Sequence, residues 1–393
     1  MSRFSESLIS HVVVRGFRSL ENVAVDLEPV TVLVGPNGSG KSSFLNALAF
    51  LQQAVYHSPP LVGISRLLTK TGQRPTAFSF EIHIRSRAPD LFSGSYFVRF
   101  QQDQDNPDIF FIAQETCDMQ TGADLAVHRY SLAVKKDEKT RRLEPTWEST
   151  EDIQPPLAVN RLALPIMSSL EYFVPMYNAL TTFYCYDISP LALRSTQESG
   201  LEERLLPDGR NAVSVLKRLR ESRSPYYHRV VNTVSRVAKS VQDIRPVEEG
   251  RALTFEFKEM FGRRRLDFRA ADMSDGTLYV LGILLALYQE DAPTLVGFEE
   301  PESAIHPGAA AVLAEAFEEA ALRTQVLITT HSPDLITRFD AKRLRAVERT
   351  VEGTTVIAPI AESQREAICR RLFTAGELHR LEGLKPSSSF AEA

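Results

Sequence analysis

Cysteine is scarce in this sequence: three in 393 residues, Cys117, Cys185 and Cys369, with no CxxC pair. That spacing supports neither a disulfide framework nor a zinc site. Long apolar runs are lacking as well. The longest, residues 278–288, falls well short of the roughly 20 residues that cross a bilayer, and the first ten residues have none of a signal peptide's apolar core. Neither sign of charge is in large excess. Lys and Arg total 45 against 50 Asp and Glu, so nucleic acid could be reached only through a local patch. Sustained heptads and internal repeats are absent too, which excludes a long coiled coil. What is present is globular. At 43% hydrophobic and 24% charged, the chain is neither disordered nor collagen-like, and its length suits two or three structural units. A soluble, cytoplasmic protein without membrane contact is expected.

Patterning divides the chain. Residues 11–15 are rich in β-branched side chains, 23–27 alternate, and 30–34 are apolar except for Thr31, as in a strand buried on both faces. A helix is expected from Phe44, Leu45, Leu48 and Leu51 up to Pro59-Pro60. Phe78, Phe80, Ile82 and Ile84 then alternate with polar residues, the mark of a half-buried antiparallel strand. Residues 96–100, 109–112 and 126–134 continue that texture, and the charged stretch 135–142 reads as a solvated hairpin tip. From about 155 to 243 the pattern turns helical, with helices over 212–219 and 226–241. Strands return at 252–257 and 266–268. Beyond 278, helix and strand alternate (278–288, 294–298, 309–322, 325–330), which implies a parallel, helix-covered sheet built from both chain ends. The expected units are 1–60 and 244–384 for the core, 61–155 for a β-rich lobe, 156–243 for a helical insertion, and 385–393 for a disordered tail.

Four segments carry chemistry. Gly35-Pro36-Asn37-Gly38-Ser39-Gly40-Lys41-Ser42, followed by Ser43, matches G-x-x-x-x-G-K-[S/T] between a buried strand and a helix. Glycines let such a loop turn its N–H groups onto phosphate oxygens, and the helix N-terminus adds positive charge. Lys41 would reach the β- and γ-phosphates, and the Ser42 hydroxyl would ligate Mg²⁺. The apolar strand 295–298 ends in Glu299-Glu300-Pro301-Glu302, and ligands of open α/β sheets bind at such carboxyl ends. Glu299 is expected to hold Mg²⁺, and Glu300 to orient or deprotonate the attacking water. His331 follows another buried strand, positioned to hydrogen-bond a γ-phosphate, although a lone histidine is more often structural. Met273-Ser274-Asp275-Gly276-Thr277 opens an apolar helix. It reads either as an anion site or as a plain N-cap by Ser274 or Asp275.

Together these residues resemble the ABC-type ATPases of the RecF and SMC group, specifically the small RecF-like AAA-type ATPases. Val14-Arg15-Gly16-Phe17-Arg18-Ser19-Leu20 is similar to the family's opening motif, GPNGSGKS to Walker A, and 273–277 to the signature. Residues 298–302 resemble Walker B with its catalytic glutamate, 303–307 the D-loop, and Thr330-His331-Ser332 the switch segment. Asp208-Gly209-Arg210-Asn211 and Ala375-Gly376-Glu377-Leu378 look like weaker signatures. The resemblance covers residues 11–60 and 270–350.

The resemblance implies an α/β P-loop NTPase of ABC/SMC-head type with an antiparallel β lobe and an inserted helical region. It implies hydrolysis of ATP with Mg²⁺, and an ATP-dependent homodimer in which Ser274 and Gly276 of one copy act on ATP held by Lys41 and Ser42 of the other. Arg15 and Arg18 become contacts to the nucleotide or to the rim of its pocket. Glu299 departs from the usual Walker B aspartate, and Asp275 from the glycine of transporter-type signatures. No Q-loop glutamine stands out among Gln101, Gln102 and Gln114. About 60 residues follow His331, too few for an appended Toprim domain, so nuclease or other effector activity is expected from a partner protein. DNA repair or anti-phage defence is the implied setting, with DNA touched through Lys217, Arg218, Arg220 and Arg223 or through Arg263, Arg264 and Arg265. A nucleotide-gated scaffold that hydrolyses slowly or not at all is the alternative. A transporter subunit fits least.

Overall fold

The computed structural model describes residues 7–387 except 60, 71–74, 89–90, 123–125, 138–139, 141, 152, 154, 156–157, 199–203 and 251. Strands β1 (Ser7–Phe17) and β2 (Leu20–Asp26) form an antiparallel hairpin closed by Arg18 and Ser19. β3 (Val30–Val34) then leaves for a different sheet, where all five of its residues are buried. The helix Lys41–His57 follows, burying Phe44, Leu45, Leu48, Leu51 and Val55 along one stripe.

A meander comes next: β4 (Ala77–Ser86), β5 (Phe92–Gln102), β6 (Phe110–Thr121), β7 (Ala126–Lys136) and β8 (Leu143–Ser149). β4 pairs with β1, giving one seven-stranded antiparallel sheet in the order β2-β1-β4-β5-β6-β7-β8. The lobe expected over 61–155 therefore also includes the first hairpin. Phe78, Phe80 and Phe100 pack around Phe50 of the Lys41–His57 helix, fastening the lobe to the element that follows the P-loop. Buried Glu115 accepts hydrogen bonds from the Tyr96 and Tyr130 hydroxyls and from the Ala163 and Leu164 N–H groups. Those four donors satisfy a carboxylate in the apolar interior and tie the segment leaving the lobe to its sheet.

Residues 156–243, expected as a helical insertion, do carry helices but also supply β9 (Phe183–Tyr186) and β10 (Gln197–Glu198). Strands this short show no periodicity to read. β11 (Val241–Glu249), β12 (Ala252–Phe261) and β13 (Arg264–Arg269) join β10 in a four-stranded antiparallel sheet, which packs on the helices Ala212–Glu221 and Pro225–Val237. β14 (Leu295–Glu299), β15 (Gln325–Thr330), β16 (Leu344–Arg349) and β17 (Thr355–Pro359) complete the core sheet. Its order is β17-β16-β3-β15-β14-β9, parallel except at β17. The helix Asp275–Tyr288, buried at every residue from Thr277 onward, shares one hydrophobic core with strands of both smaller sheets.

Of the tail expected to be disordered, residues 385–387 are pinned to the core. The Ser387 N–H donates to Pro359 O at 2.8 Å and the Lys385 N–H to Gln364 Oε1 at 2.9 Å. Residues 388–393, and part of the charged stretch 135–142, lie outside the described residues. Among the described residues, no helix is long and apolar enough to cross a membrane.

Candidate nucleotide-binding site

Parallel register brings three chain segments to one edge. Val34 of β3 pairs with Thr330 of β15, and Thr329 of β15 with Glu299 of β14. The glycine-rich loop, the acidic pair and His331 therefore leave the sheet side by side, at the carboxyl ends where α/β sheets bind ligands.

The loop needs its glycines at defined points. Gly40, the residue before the helix, has φ +114, and a Cβ there would lie 2.1 Å from Thr355 Oγ1. Thr355 cannot easily yield. Its hydroxyl lies 2.9 Å from Ser39 O and 2.8 Å from Ser19 Oγ, and its N–H donates to Ser19 O at 2.8 Å. Thus the Arg18-Ser19 hairpin tip, β17 and the loop brace one another.

Lys41 is 4% exposed. Its ammonium donates to Gly35 O at 2.8 Å and Pro36 O at 3.1 Å, and lies 3.9 Å from Glu300 Oε1. Burial pulls its pKa below the usual lysine range, against the opposing fields of Glu300, Glu299 and Glu302. Ser42 Oγ donates to Glu299 Oε1. Glu300 adopts a left-handed backbone, φ +44, with its N–H donating to Thr329 O at 2.9 Å. A non-glycine residue held there stores local strain, a frequent property of functional sites. Its Oε1 is also 3.1 Å from His331 Nδ1. One carboxylate therefore bridges Lys41 and His331.

Lys41, Ser42, Glu299 and Glu300 face a cavity of about 600 Å³, whose lining does not include Gly35, Pro36, Ser39 or His331. Asn37, Gly38, Gly40, Lys41, Ser42 and Ser43 line it from the loop, with Glu299 and Glu300 opposite. Arg15, expected against the nucleotide or the rim of its pocket, is corrected. It sits inside the β1–β2 ladder opposite Asn22, its guanidinium 3.3 Å from Glu81 Oε2, and lines no part of the cavity. Arg18 lines it from the hairpin tip, joined by Arg66, Lys70 and Arg349, three cations that sequence reading missed. Arg66 lies in a short 3-10 helix, Ile64–Leu67, and Lys70 in the chain just after it, a stretch without a motif, and only Arg349, at the end of β16, carried a strand-end signal. Gln101, Gln102 and Gln114 do not line the cavity.

The Ser42 hydroxyl and Glu299 carboxylate form an adjacent pair of hard oxygen donors, which suits Mg²⁺ carried in with nucleotide phosphates. Among the described residues, no group of three or more His, Cys, Asp and Glu side chains could hold a metal ion by itself.

Ser274 and Gly276 do not line this cavity. Ser274 and Asp275 are exposed. Ser274 caps the helix Asp275–Tyr288, its Oγ accepting from the Thr277 N–H at 3.3 Å. The Asp275 carboxylate pairs with Arg194 at 2.6 Å, and the same guanidinium donates to Met273 O at 2.8 Å. Gly276 lies against the segment after the acidic pair, where a Cβ would come 3.0 Å from Ala304 O.

Residues 30–337 match the family described as "AAA domain, putative AbiEii toxin, Type IV TA system". The chain belongs to this family. Solved structures share the fold of this AAA-family chain. It is similar to an SMC head bound to the C-winged helix domain of ScpA, 12% identical with a TM-score of 0.50, over 92% of this chain and 100% of that one. It is equally similar to the Smc head domain with an extended coiled coil bound to the C-terminal domain of ScpA, derived from Pyrococcus furiosus. There the values are 12% identity, a TM-score of 0.50, and coverage of 93% and 99%. At this identity the likeness is one of fold, the SMC-head type of P-loop ATPase. No curated protein matches the chain.

Replacing Gly40 with alanine tests the loop of this AAA-family protein. The added methyl meets a threonine held by three hydrogen bonds, so titration calorimetry should show ATP affinity falling by at least about tenfold, or ~1.4 kcal/mol. Undiminished affinity would mean that nucleotide does not depend on this loop conformation.

Proposed function

We propose that this protein is a Mg²⁺-dependent ATPase that closes as a homodimer around ATP, each copy's Ser274 and Gly276 completing the site of the other. The observation that carries the reading is the Glu300 carboxylate, 3.9 Å from Lys41 Nζ and 3.1 Å from His331 Nδ1 at the mouth of the glycine-rich loop. Loop N–H groups and Lys41 hold the β- and γ-phosphates, whose oxygens take over from the Gly35 and Pro36 carbonyls as partners of the ammonium. Ser42 and Glu299 would hold Mg²⁺, which when bound neutralises charge on the phosphate oxygens. Glu300 accepts a proton from water as the water oxygen attacks the γ-phosphorus. The bond to the β–γ bridging oxygen breaks, leaving ADP and phosphate. His331 hydrogen-bonds the γ-phosphate and orients Glu300.

The trans arrangement draws support from the exposure of Ser274 at a helix N-terminus, a natural anion site. The Arg194 pair answers the one chemical objection to it, since a neutralised Asp275 does not repel a γ-phosphate.

The setting we infer is DNA-linked, in repair or anti-phage defence, with a partner effector. A family description that names a toxin of a type IV TA system favours defence, and the ScpA domains bound to the SMC heads favour a protein partner. Of the two basic clusters, Arg263, Arg264 and Arg265 suit DNA phosphates better. They are exposed at the β12–β13 turn beside the exposed Phe261 and Leu266, on the strand that leads into Ser274. Lys217 and Arg218, by contrast, pair with Glu248 and with Glu290 and Asp291.

Glu300→Gln should slow turnover by at least roughly a hundredfold while ATP now holds a dimer stable to gel filtration with light scattering. Unchanged turnover would remove Glu300 from the mechanism. For DNA, alanine at all three of positions 263–265 should weaken binding in fluorescence anisotropy and reduce the log–log salt slope by roughly two to three. If the native protein binds no DNA with or without ATP, and DNA fails to stimulate turnover, the DNA-linked part is wrong.

A further inference from the structure

We propose that Glu302, the third acid of the turn after β14, is a positioning residue that acts through the Thr330 hydroxyl to set where His331 stands relative to Glu300. The proposal rests on the roles given above to Glu300 and His331, and it concerns an acid that the hydrolytic steps leave unused.

β15 ends at Thr330, whose side chain is fully buried. The Thr330 hydroxyl donates to Glu302 Oε1 and accepts from the Ser332 N–H at 2.9 Å. His331 lies between Thr330 and Ser332, so one hydroxyl fixes the chain on both sides of it. A carboxylate is the acceptor that makes this arrangement unique. It has no proton to donate, so the single hydroxyl proton must point at Glu302 and the lone pairs stay free for the Ser332 N–H. Further along, Ser332 caps the short helix Pro333–Ile336, and Leu335 and Ile336 are buried in the core.

The same carboxylate belongs to the turn that carries Glu300. The Ser303 N–H donates to Glu300 O at 3.0 Å, and the Ile305 N–H to Glu302 O at 3.2 Å. Across the gap, the Glu300 N–H donates to Thr329 O at 2.9 Å. Two ties therefore join the turn to the end of β15, one from the Glu300 main chain and one from the Glu302 side chain. Between them they set the spacing at which Glu300 Oε1 meets His331 Nδ1, 3.1 Å away. The His331 side chain is 48% exposed, and an exposed side chain has rotamer freedom to lose. Its placement thus depends on how firmly its main chain is held, and a misplacement of about 1 Å in such geometry costs on the order of a hundredfold in rate. Among the described residues, Thr330 is the one side-chain partner of this carboxylate, since Oε2 is buried without any. Glu302 has one other route to the site, its field at Lys41.

The test uses the full chain and separates the hydrogen bond from the charge. Glu302→Leu removes both, Glu302→Gln removes the charge but keeps an acceptor oxygen, and Thr330→Val removes the bond but keeps the charge. In histidine-labelled protein without nucleotide, the His331 ring resonances should move in E302L and T330V and stay closer to native in E302Q. In ATPase assays T330V should lose roughly tenfold to a hundredfold in kcat with KM unchanged. E302L should lose as much in kcat, E302Q should recover part of that loss, and E302L and T330V combined should lose no more than either alone. Native resonances and native kcat in T330V would overturn the proposal, as would additive losses in the double variant or an E302Q no better than E302L. Should E302L or T330V fail to fold, the other decides against its conservative counterpart, E302Q or Thr330→Ser, which keeps the hydroxyl. A T330S as impaired as T330V would also overturn the proposal. Because the resonances are read without turnover, they report on the Glu302–Thr330 tie even if the chain hydrolyses no ATP.

Discussion

The parallel pairing of β3, β15 and β14 is the constraint on which the site depends. Val34 against Thr330 and Thr329 against Glu299 make three strands end at one level. Residues more than 250 positions apart in sequence, such as Ser42 and Glu299, thereby come into hydrogen-bond contact. Both faces of these strands are buried, so a slip of one residue would exchange the packing on each side and is strongly disfavoured. Every element around them serves that edge. The β lobe clamps the helix after the loop through Phe50, and Thr355 of β17 closes on Gly40.

Charge balance follows from this geometry. A lysine 4% exposed would be costly alone. Here the Gly35 and Pro36 carbonyls accept from it, the fields of Glu300, Glu299 and Glu302 favour its charge, and Glu300, 3.9 Å away, also meets His331. Lys41, Glu299 and Glu300 thus each have a partner within the protein. The turn at Ser274 obeys the same logic. Arg194 neutralises Asp275 and leaves the Ser274 end of the helix facing outward with its positive N-terminal field.

The glycine-rich loop, the acidic pair and His331 were legible as neighbours in the sequence because each is a short contiguous segment whose strand-end context is itself local. What escaped reading is non-local. β1 pairs with β4 across more than 60 residues of sequence, so periodicity could not show that the first hairpin belongs to the lobe. Arg15 and Arg18 looked equivalent until the strand end was known. β1 runs to Phe17, which leaves Arg15 inside the ladder and brings Arg18 to the turn at the cavity. β9 spans only Phe183–Tyr186 in a helical stretch and reaches the core sheet through pairing with β14 alone. Arg66, in the short 3-10 helix Ile64–Leu67, and Lys70 just beyond it reach the cavity from a stretch where no pattern marks a residue in advance.

The account stands on a site shared between two copies, and mixing two inactive variants tests it most directly. Lys41→Ala lacks its own phosphate cradle but keeps a native serine turn, and Ser274→Arg has the opposite defect. Each should be inactive alone in an ATPase assay. Combined, they can form a heterodimer with one intact composite site, and turnover should return to a substantial fraction of the native rate. A mixture as inactive as its components would contradict the shared site.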